Sequence, residues 1–504
     1  MTSQKNLQPD LTLVIDQGSH ASRIALFDET GELIYLKSKD VSTQSYSVTD
    51  GQTHYEQDAD EIVHSIRNLL NALPIHLQHK IKNCGLCTQR STIVAWHKTC
   101  GTALSPAISW RDTRAQSQVE SLRDHENQIK AISGLPLSAH YSASKIHWLL
   151  NNNSNIQQAE ASQQLHISPL ASYLLFHLLN EQPYLIDHSN AQRCQLFDIK
   201  QLNWSDVLLN HFQINSQILP VCTPTCHHYG HLYLNDAPLT ALTGDQNAAL
   251  YAFPELHKKH ALINIGTGAF ILSPSSRNNH PSKLLHTLAS STADNCQFVN
   301  EGTVNGAGAA ISWQRQIDVH NHLENNIFDQ LPLWLKQINS PGIFINTISG
   351  LGSPWWCNTA GPAQYLNANL NMSSNSSPTP PHLQAQHYVA IIESIVFLIY
   401  KNIQQLNTPP NHLFISGGLS QLSELCQKLA DCSQIKVLRF STRETTARGC
   451  AWLSNQSCKN NHLNWKALQT SEQFLPQKNY NKNLEIQNRY QQFVGELNKR
   501  CTSD

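Results

Sequence analysis

The sequence predicts an α/β protein built from two related domains, and three observations support this class. Residues 11–28 and 261–272 carry the same pattern, in which an apolar strand enters a tight turn of Gly with Ser or Thr and a second apolar strand leaves it. Strand patterns alternate with helical patterns in both halves of the chain. At 504 residues the chain is also too long for one hydrophobic core. We therefore expect a duplicated domain.

The two glycine turns predict phosphate binding. Such a turn aims successive backbone N–H groups and a hydroxyl at one point, and this arrangement suits a phosphate group. The hydroxyls are those of Ser19 in the first turn and Thr267 in the second. A single turn of this kind is weak support, because an ordinary tight turn has the same composition. Two turns in corresponding places predict a nucleotide triphosphate held between two copies of the domain.

The first half contains a regular succession of elements after its hairpin. The pattern predicts a helix over 59–73, a strand over 81–87, a helix that opens at 108–114 and a helix over 141–150. Within 239–250 a strand ends at the turn Thr243-Gly244 and delivers Asp245 into the start of a helix. An Asp at that place is either a helix N-cap or a functional carboxylate.

The second half repeats this order. Its hairpin is followed by a glycine-rich segment at 301–310 that enters a helix, and near the end by the segments 413–418, which ends in Gly417-Gly418, and 444–452. The most apolar stretch, 391–400, contains Glu393 and is too short to span a bilayer, so we expect a buried helix. Residues 1–10 and 371–381 are polar and predict exposed segments.

Composition limits the classes of function. The net charge of −1 gives no indication of a nucleic-acid or membrane surface. The 13 cysteines are odd in number and irregularly spaced, which fits a reducing cytosol, and no signal-peptide pattern is present, so we expect a cytoplasmic protein. A zinc site could be drawn from Cys84 and Cys87 with Cys222, Cys226 and the two histidines after it. The alternative, which we favour, places the first pair in an apolar strand and the second in a polar loop.

Several further motifs follow one another in a characteristic order. They are Gln89-Arg90, Trp110-Arg111-Asp112, Tyr141-Ser-Ala-Ser-Lys145, Asp187-His-Ser-Asn190-Ala191, Gly244-Asp245-Gln246, Gly350-Leu-Gly352-Ser-Pro354-Trp355-Trp356, Gly417-Gly418 and Glu444-Thr-Thr-Ala. With the two hairpins, this series resembles the FGGY carbohydrate kinase family from about residue 11 to 455, and its spacing is most similar to that of the glycerol kinases. The resemblance implies two actin-like, ribonuclease-H-like domains with substrate and ATP in a catalytic cleft between them. It also implies closure of that cleft on binding, which excludes water.

The resemblance implies domain boundaries and a reaction. We expect an N-terminal domain over 1–255, a C-terminal domain over 256–455 and a C-terminal extension over 456–504, which is partly helical and has no assigned role. The expected reaction is ATP-dependent phosphorylation of a hydroxyl on a small sugar or polyol. Phosphoryl transfer depends mostly on positioning and charge stabilisation, with one carboxylate within reach of the hydroxyl proton. Asp245 is the candidate for that general base, and the family carries its base on this motif.

The nucleotide and its metal have candidate residues as well. Asp16, which precedes the first turn, is expected to hold Mg²⁺ directly or through water, although an Asp there could also simply form the turn. By resemblance, ATP contacts are expected from Ser19, His20, Arg23, Gly266, Thr267, Gly308, Gly417 and Gly418. A side chain at the last two glycines would collide with the adenosine. Two roles for His20 stay open, donation to the γ-phosphate or capping of the turn from outside.

The expected substrate pocket comprises Arg90, Ser91, Trp110, His140, Asp245, Gln246 and Phe270. It departs from that of the glycerol kinases at two of these positions. Ser91 stands where they carry Glu, and His140 where they carry Tyr, so a carboxylate is lost and room is gained. A polar pocket of this kind discriminates strongly, so two changes can redirect specificity. We expect a sugar or polyol of about four to six carbons.

Other functions stay open at this point. Within the same family, a kinase of xylulose or ribulose type is the first alternative, although Gln89-Arg90 and Trp110 follow the glycerol branch better. A second alternative is a nucleotide-gated binding protein that has lost catalysis, because an actin-like fold does not by itself fix a function. A homodimer is expected from the resemblance alone.

Overall fold

The structure is a computed structural model that describes residues 10–47, 53–253, 259–277, 283–320, 327–357, 360–366, 381–441, 444–457 and 465–501. Most of the polar start expected at 1–10, and most of the loop expected at 371–381, lie outside the described residues.

Strands and helices are numbered in chain order. The strands are β1 Leu11–Gln17, β2 Ala21–Phe27, β3 Leu33–Asp40, β4 Gln44–Ser47, β5 Thr53–Gln57, β6 Ile81–Thr88, β7 Ile93–His97, β8 Ala107–Ile108, β9 Leu165–Pro169, β10 Leu185–Asp187, β11 Phe197–Asp198, β12 Asn203–Trp204, β13 Val221–Thr223, β14 Cys226–His231, β15 Pro238–Gly244, β16 His260–Ile265, β17 Ala269–Ser275, β18 Leu285–Ser291, β19 Cys296–Val304, β20 Phe344–Ile345, β21 Gln364–Tyr365, β22 His412–Ser416, β23 Lys436–Phe440 and β24 Thr470–Phe474. The α-helices are α1 Ala59–Asn71, α2 Ile75–Gln78, α3 Gln116–Ser121, α4 Glu126–Ser133, α5 Ser142–Asn152, α6 Ser154–Ala161, α7 Leu170–Leu178, α8 His188–Gln192, α9 Asp206–Phe212, α10 Asp245–Leu250, α11 Gly308–His320, α12 Ile327–Gln337, α13 Pro381–Ile403, α14 Ser423–Ser433, α15 Thr445–Ser457 and α16 Tyr480–Cys501.

The chain forms two compact units, and each is discontinuous in sequence. The first unit comprises Met1–Pro254, Thr287–Phe298 and Glu444–Ala467. The second unit comprises Glu255–His286, Val299–Arg443 and Leu468–Asp504. The domain boundaries expected at residues 255 and 455 divide the chain into continuous stretches. These boundaries stay a proposal.

The first unit is built on a mixed sheet of order β14-β15-β6-β1-β2-β3. Strand β1 pairs with β2 in antiparallel fashion, whereas β1 and β15 both run parallel to β6. Helices α1 and α7 contribute apolar side chains to the core on one face of this sheet, and α15 packs against the other face. Helix α1 begins where predicted because the Asp58 carboxylate accepts the backbone N–H groups of Asp60 and Glu61.

The second unit repeats this strand pattern. Its sheet has the order β18-β19-β17-β16-β22-β23-β24. Strand β16 pairs antiparallel with β17 and parallel with β22, and β22 runs parallel to β23. In both units an antiparallel strand closes the far edge, β14 in the first and β24 in the second. The duplicated α/β architecture predicted from the two hairpins is therefore confirmed.

The apolar stretch predicted as a buried helix lies in α13. Among the described residues, Leu383–Ile403 is one helix that is long and apolar enough to cross a membrane by length and composition. Of its most apolar window, 83% is buried, and Ile391, Ile395 and Ile399 belong to the core of the second unit. The helix is a core element of this unit, as expected.

The C-terminal segment forms part of the second unit. Strand β24 pairs with β23, and Ile486, Tyr490 and Phe493 of α16 lie in the core. Arg489 of α16 also donates to the buried Glu393 carboxylate of α13, with N–O distances of 2.6 and 2.8 Å. The partly helical character expected for 456–504 is confirmed over Tyr480–Cys501.

One expected helix start is wrong. Residues 108–114 do not open a helix: β8 ends at Ile108, a turn follows, and α3 begins at Gln116. The Asp112 side chain accepts the backbone N–H groups of Tyr55 and Arg114 and forms an ion pair with the Arg114 guanidinium at 2.8 Å. Because these groups occupy its carboxylate, Asp112 stabilises a turn rather than a first helical turn.

The cysteines proposed for a zinc site are separated into different elements. Cys84 and Cys87 are buried in β6, as the alternative interpretation required. Cys222 and Cys226 lie in the short strands β13 and β14, so the polar loop expected there is wrong. Within the described part of the chain, no group of three His, Cys, Asp or Glu side chains has an arrangement that could hold a metal ion.

Candidate active site

Three parallel strands end together in the first unit. Residue 16 of β1 lies opposite Cys87 of β6, and Gly244 of β15 lies opposite Thr88 of β6. The carboxyl ends of neighbouring parallel strands meet at one edge of a sheet, which is where ligands bind in such folds. The strand order therefore brings Asp16, the segment after Thr88, and Asp245 to the same edge.

Asp245 is the more accessible of the two expected carboxylates at this edge. It begins α10 directly after Gly244, and its side chain is 25% exposed. Its Oδ1 atom accepts the backbone N–H of Gln246 at 2.7 Å and lies 3.9 Å from Nε of Arg90. Arg90 is buried and donates to Oδ1 of Asn247 at 3.1 Å. The guanidinium thus stands beside the carboxylate in a fixed position.

Asp16 lies at the same edge but is buried. Burial raises the pKa of its carboxyl to about 6; the charge of Arg23 opposes this increase, and the charge of Asp245 contributes to it. The Arg23 guanidinium is 3.4 Å from Oδ2 of Asp16 and is 43% exposed. A buried carboxylate whose pKa is raised by a second carboxylate is an environment that a divalent cation would relieve. Asp16 therefore fits the metal ligand expected from the sequence.

The first glycine turn is tied to the expected substrate wall. The Ser19 hydroxyl accepts the indole N–H of Trp110 at 2.8 Å and donates to Oε1 of Gln89 at 3.0 Å. The turn itself is closed by a hydrogen bond from Gly18 N–H to the Ala21 carbonyl at 3.0 Å. His20 is exposed at the tip of the turn. Ser19 therefore connects the phosphate turn with Trp110, a contact that the sequence did not indicate.

Trp110 and His140 form one side of the expected pocket, with ring centroids 5.5 Å apart. Burial lowers the pKa of His140 well below its usual value, and the charges of Lys145, Arg193 and Arg90 lower it further, so the imidazole is neutral. A neutral imidazole offers one donor and one acceptor to a substrate hydroxyl.

Ser91 lies beside this wall but is turned inward. Its backbone has a φ of 62°, and its side chain is fully buried. Its hydroxyl donates to the carbonyl of Arg193 at 3.2 Å. The structure therefore engages the Ser91 hydroxyl with the protein backbone, whereas the sequence could only assign this position to the pocket.

Lys145 is a residue near this pocket to which the sequence assigned no role. It is fully buried on the inner face of α5, and its ammonium donates to the carbonyl of His140 at 2.8 Å and to that of Ser91 at 3.5 Å. Burial lowers its pKa to about 7, and Asp112 partly opposes this shift. The sequence did contain a signal for the burial of Lys145. It lies among the apolar residues of an amphipathic helix, and such a position faces the core.

The second unit holds its own group of expected residues. Gly266 and Thr267 are exposed in the turn between β16 and β17, which is closed by Gly266 N–H on the Gly268 carbonyl at 2.8 Å. The start of α11 packs on this turn, since Gly308 N–H donates to the Gly266 carbonyl at 3.0 Å. A Cβ at Gly308 would stand 2.7 Å from that carbonyl oxygen, so only glycine fits.

The glycine pair after β22 lies beside the end of β16. Gly417 has a φ of 90°, and a Cβ there would stand 2.5 Å from the carbonyl oxygen of Ile265. Gly418 is exposed and faces open space. The structure thus brings together the second turn, the start of α11 and Gly417. Phe270 is half-buried in β17, opposite Asn264, and belongs to this unit rather than to the unit of Trp110 and His140.

Both halves of the chain match models of a known family. The model of the N-terminal domain of the FGGY family of carbohydrate kinases matches residues 11–245, and that of the C-terminal domain matches residues 261–457. Curated glycerol kinases are similar along most of the chain. That of Enterococcus casseliflavus is 29% identical over 461 residues, which cover 89% of this chain and 88% of the relative. That of Polaromonas naphthalenivorans is 29% identical over 467 residues, which cover 88% and 90%.

Solved structures share the fold. Plasmodium falciparum glycerol kinase with ADP superimposes with a TM-score of 0.82 at 23% identity, covering 97% of this chain and 98% of its own. Ligand-bound xylulose kinase and gluconate kinase, both from Lactobacillus acidophilus, each give a TM-score of 0.79 at 18% identity, covering 98% of this chain and 99% of their own.

Proposed function

The chain belongs to the FGGY family of carbohydrate kinases, and from that membership we propose how its own residues perform the transfer. The enzyme phosphorylates a hydroxyl of a small sugar or polyol at the expense of ATP. The observation that carries the residue assignment is the convergence of Asp16, Arg90 and Asp245 at the carboxyl edge of β1, β6 and β15.

Asp245 acts as the general base. It accepts the proton of the acceptor hydroxyl as the oxygen attacks the terminal phosphorus, and the leaving ADP takes the charge of the broken bond. Its partial exposure makes it accessible to a substrate, and the Arg90 guanidinium at 3.9 Å stabilises its negative charge. Arg90 and Gln246 then contribute hydrogen bonds to other hydroxyls of the acceptor.

Asp16 is the residue that would hold Mg²⁺, directly or through water. The cation supplies neutralisation of phosphate charge when it is bound. The buried carboxylate, with its raised pKa and with Asp245 nearby, fits this role. Arg23 is half exposed beside it and stabilises negative charge at the same place.

Each unit has its own glycine turn with residues suited to nucleotide contacts. In the first unit the turn at Ser19 and His20, with Arg23, faces the phosphates. In the second unit the exposed Gly266 and Thr267 serve the β-phosphate, and the open surface at Gly418 accommodates the adenosine. Gly308 and Gly417 contribute by allowing the close backbone approach that shapes this turn.

The acceptor is longer than glycerol, with about four to six carbons. Ser91 offers no carboxylate, and its hydroxyl is engaged by the Arg193 carbonyl, so this position supplies space rather than a hydrogen bond to the substrate. His140 is neutral and its ring lies 5.5 Å from that of Trp110, tilted by 59°, which gives a mixed apolar and polar wall for a carbon chain. We further propose a cytoplasmic homodimer.

The test is ADP release from Mg²⁺-ATP with glycerol, polyols of four to six carbons, xylulose and ribulose as acceptors. We expect one longer acceptor to exceed glycerol in kcat/KM by about tenfold or more, because a polar pocket discriminates strongly. Equal turnover of glycerol and every longer polyol would contradict the proposed substrate and leave the kinase intact. Preference for a ketopentose would establish the pentulose kinase. Nucleotide binding without response to any acceptor would indicate the binding protein that has lost catalysis.

A further inference from the structure

The turn that presents Asp245 is held from behind by a buried hydroxyl. Gly244, the residue before Asp245, donates its backbone N–H to Oγ of Ser189 at 3.1 Å. Ser189 belongs to α8 and is buried, and its hydroxyl donates to Oδ2 of Asp187. The segment that carries these residues is one of the motifs that the sequence singled out without assigning it a role.

Asp187 fixes the direction of the Ser189 hydroxyl. Its carboxylate is fully buried and accepts the backbone N–H of Ser189 at 2.9 Å, and it also accepts the backbone N–H and the side-chain amide of Asn190 at 3.2 and 2.7 Å. A hydroxyl has a single hydrogen, which Ser189 donates to Asp187. Its lone pairs are therefore left to accept the N–H of Gly244, and the Thr243 hydroxyl lies 3.4 Å from the same oxygen.

The Arg90 side chain also packs against this turn. A Cβ built on Gly244 would stand 2.6 Å from Cδ and 2.7 Å from Cγ of Arg90. Gly244 is thus enclosed between the Arg90 side chain and the Ser189 hydroxyl. Asp245 follows immediately, so the position of its carboxylate depends on how firmly this residue is held.

We propose that Ser189 is a positioning residue for Asp245, with Asp187 as the group that orients it. This inference rests on the proposed role of Asp245 as the base. A general base works only within hydrogen-bond reach of the proton it accepts, and a displacement of about 1 Å is enough to cost about 100-fold in rate. Ser189 keeps the backbone at Gly244 in place without touching the substrate.

The experiment compares Ser189→Ala with Ser189→Thr, which keeps the hydroxyl. The matched control is Ser172→Ala, because Ser172 is equally buried in α7 and its hydroxyl has no partner among the described residues. The measured quantities are kcat, the KM for the best acceptor, the KM for Mg²⁺-ATP and the melting temperature. If Ser189 had only a structural role, Ser189→Ala would lower the melting temperature. The kcat measured well below that temperature would then stay unchanged.

We expect Ser189→Ala to lose between about 10- and 100-fold in kcat with both KM values nearly unchanged. Ser189→Thr and Ser172→Ala should retain kcat near that of the wild type. An unchanged kcat in folded Ser189→Ala would overturn the inference. If Ser189→Ala does not fold, Ser189→Cys decides, because a thiol accepts hydrogen bonds only weakly: wild-type kcat there overturns the inference. Full activity of Asp245→Asn would instead remove the proposed base.

Discussion

Lys145 is a buried side chain that connects two positions of the expected pocket. Its ammonium lies between the carbonyls of His140 and Ser91, the two pocket positions at which the sequence departs from the glycerol kinases. Burial lowers its pKa from 10.5 to about 7, with Arg114 acting in the same direction and Asp112 against it. The protein therefore accepts a stability cost at this residue, and the cost depends on pH.

Substitution Lys145→Met should change the pH dependence of stability. Below about pH 7 the folded and unfolded chains both carry the proton, and the burial penalty is complete. Between about 7 and 10.5 the folded chain has lost this proton while the unfolded chain keeps it, so wild-type stability gains up to about 1.4 kcal/mol per pH unit from this group. The free energy of unfolding in urea, measured at several pH values, should rise less steeply in Lys145→Met.

The control for this measurement is Lys82→Met, since the side chain of Lys82 is 59% exposed. That variant should follow the wild type at every pH. Parallel curves for the wild type and Lys145→Met would show that Lys145 stays protonated in the folded protein.

At this scale the sequence anticipated residues whose setting is local. The sequence indicated Asp16 and Asp245 because each lies where a strand meets a glycine turn. The structure places both at one sheet edge. The inward hydroxyl of Ser91 could not be anticipated, because it depends on a φ of 62° and on the carbonyl of Arg193, which is distant in sequence. The contacts of Lys145 with Ser91 and of Ser189 with Gly244 likewise join residues that are distant in sequence.

At the scale of elements, the second phosphate turn depends on close packing against a helix. The N–H groups of Ala307 and Ala309 donate to the Thr267 carbonyl at 3.2 and 2.9 Å, and that of Gly308 donates to Gly266. The turn and the start of α11 are thus one structural piece.

Substitution Gly308→Ala should weaken nucleotide binding. The added methyl would meet the Gly266 carbonyl oxygen at 2.7 Å, so the turn must move away from α11. We expect the dissociation constant for ADP, measured by calorimetry, to rise by about tenfold or more, equivalent to about 1.4 kcal/mol.

Gly495→Ala is the matched control, because a Cβ at Gly495 meets nothing within 4 Å. It should bind ADP like the wild type. Wild-type affinity in Gly308→Ala would refute the role of this close approach in nucleotide binding.

Elements with a strong hydrophobic periodicity could be predicted from the sequence. Elements whose position depends on side-chain partners could not. The periodicity of 59–73 predicted α1, which the structure places at Ala59–Asn71. The helix start expected at 108–114 failed because Asp112 binds Arg114 and Tyr55 instead of capping a helix. Helix α16 was foreseen only as partial helix, since its place in the core depends on α13 and on Glu393.

For the whole molecule, the repeated hairpin predicted a repeated domain, and the strand pairing of both units follows one pattern. What the sequence did not indicate is that each unit is assembled from separate stretches of chain. Helix α15 returns to the sheet of the first unit, while β24 and α16 complete the second. Domain boundaries predicted from the sequence divide it into continuous stretches. The folded units, in contrast, are defined by contacts between residues that can be distant in sequence.

The central claim for the whole molecule is that Asp245 accepts the proton of a sugar or polyol hydroxyl. The most direct measurement is acceptor-dependent ADP release by wild type, Asp245→Asn and the exposed control Asp206→Asn, with ADP affinity determined for each. We expect Asp245→Asn to lose between about 100- and 10,000-fold in kcat and to keep its affinity for ADP, while Asp206→Asn behaves as wild type. Acceptor-dependent turnover by Asp245→Asn at the wild-type rate would contradict the account.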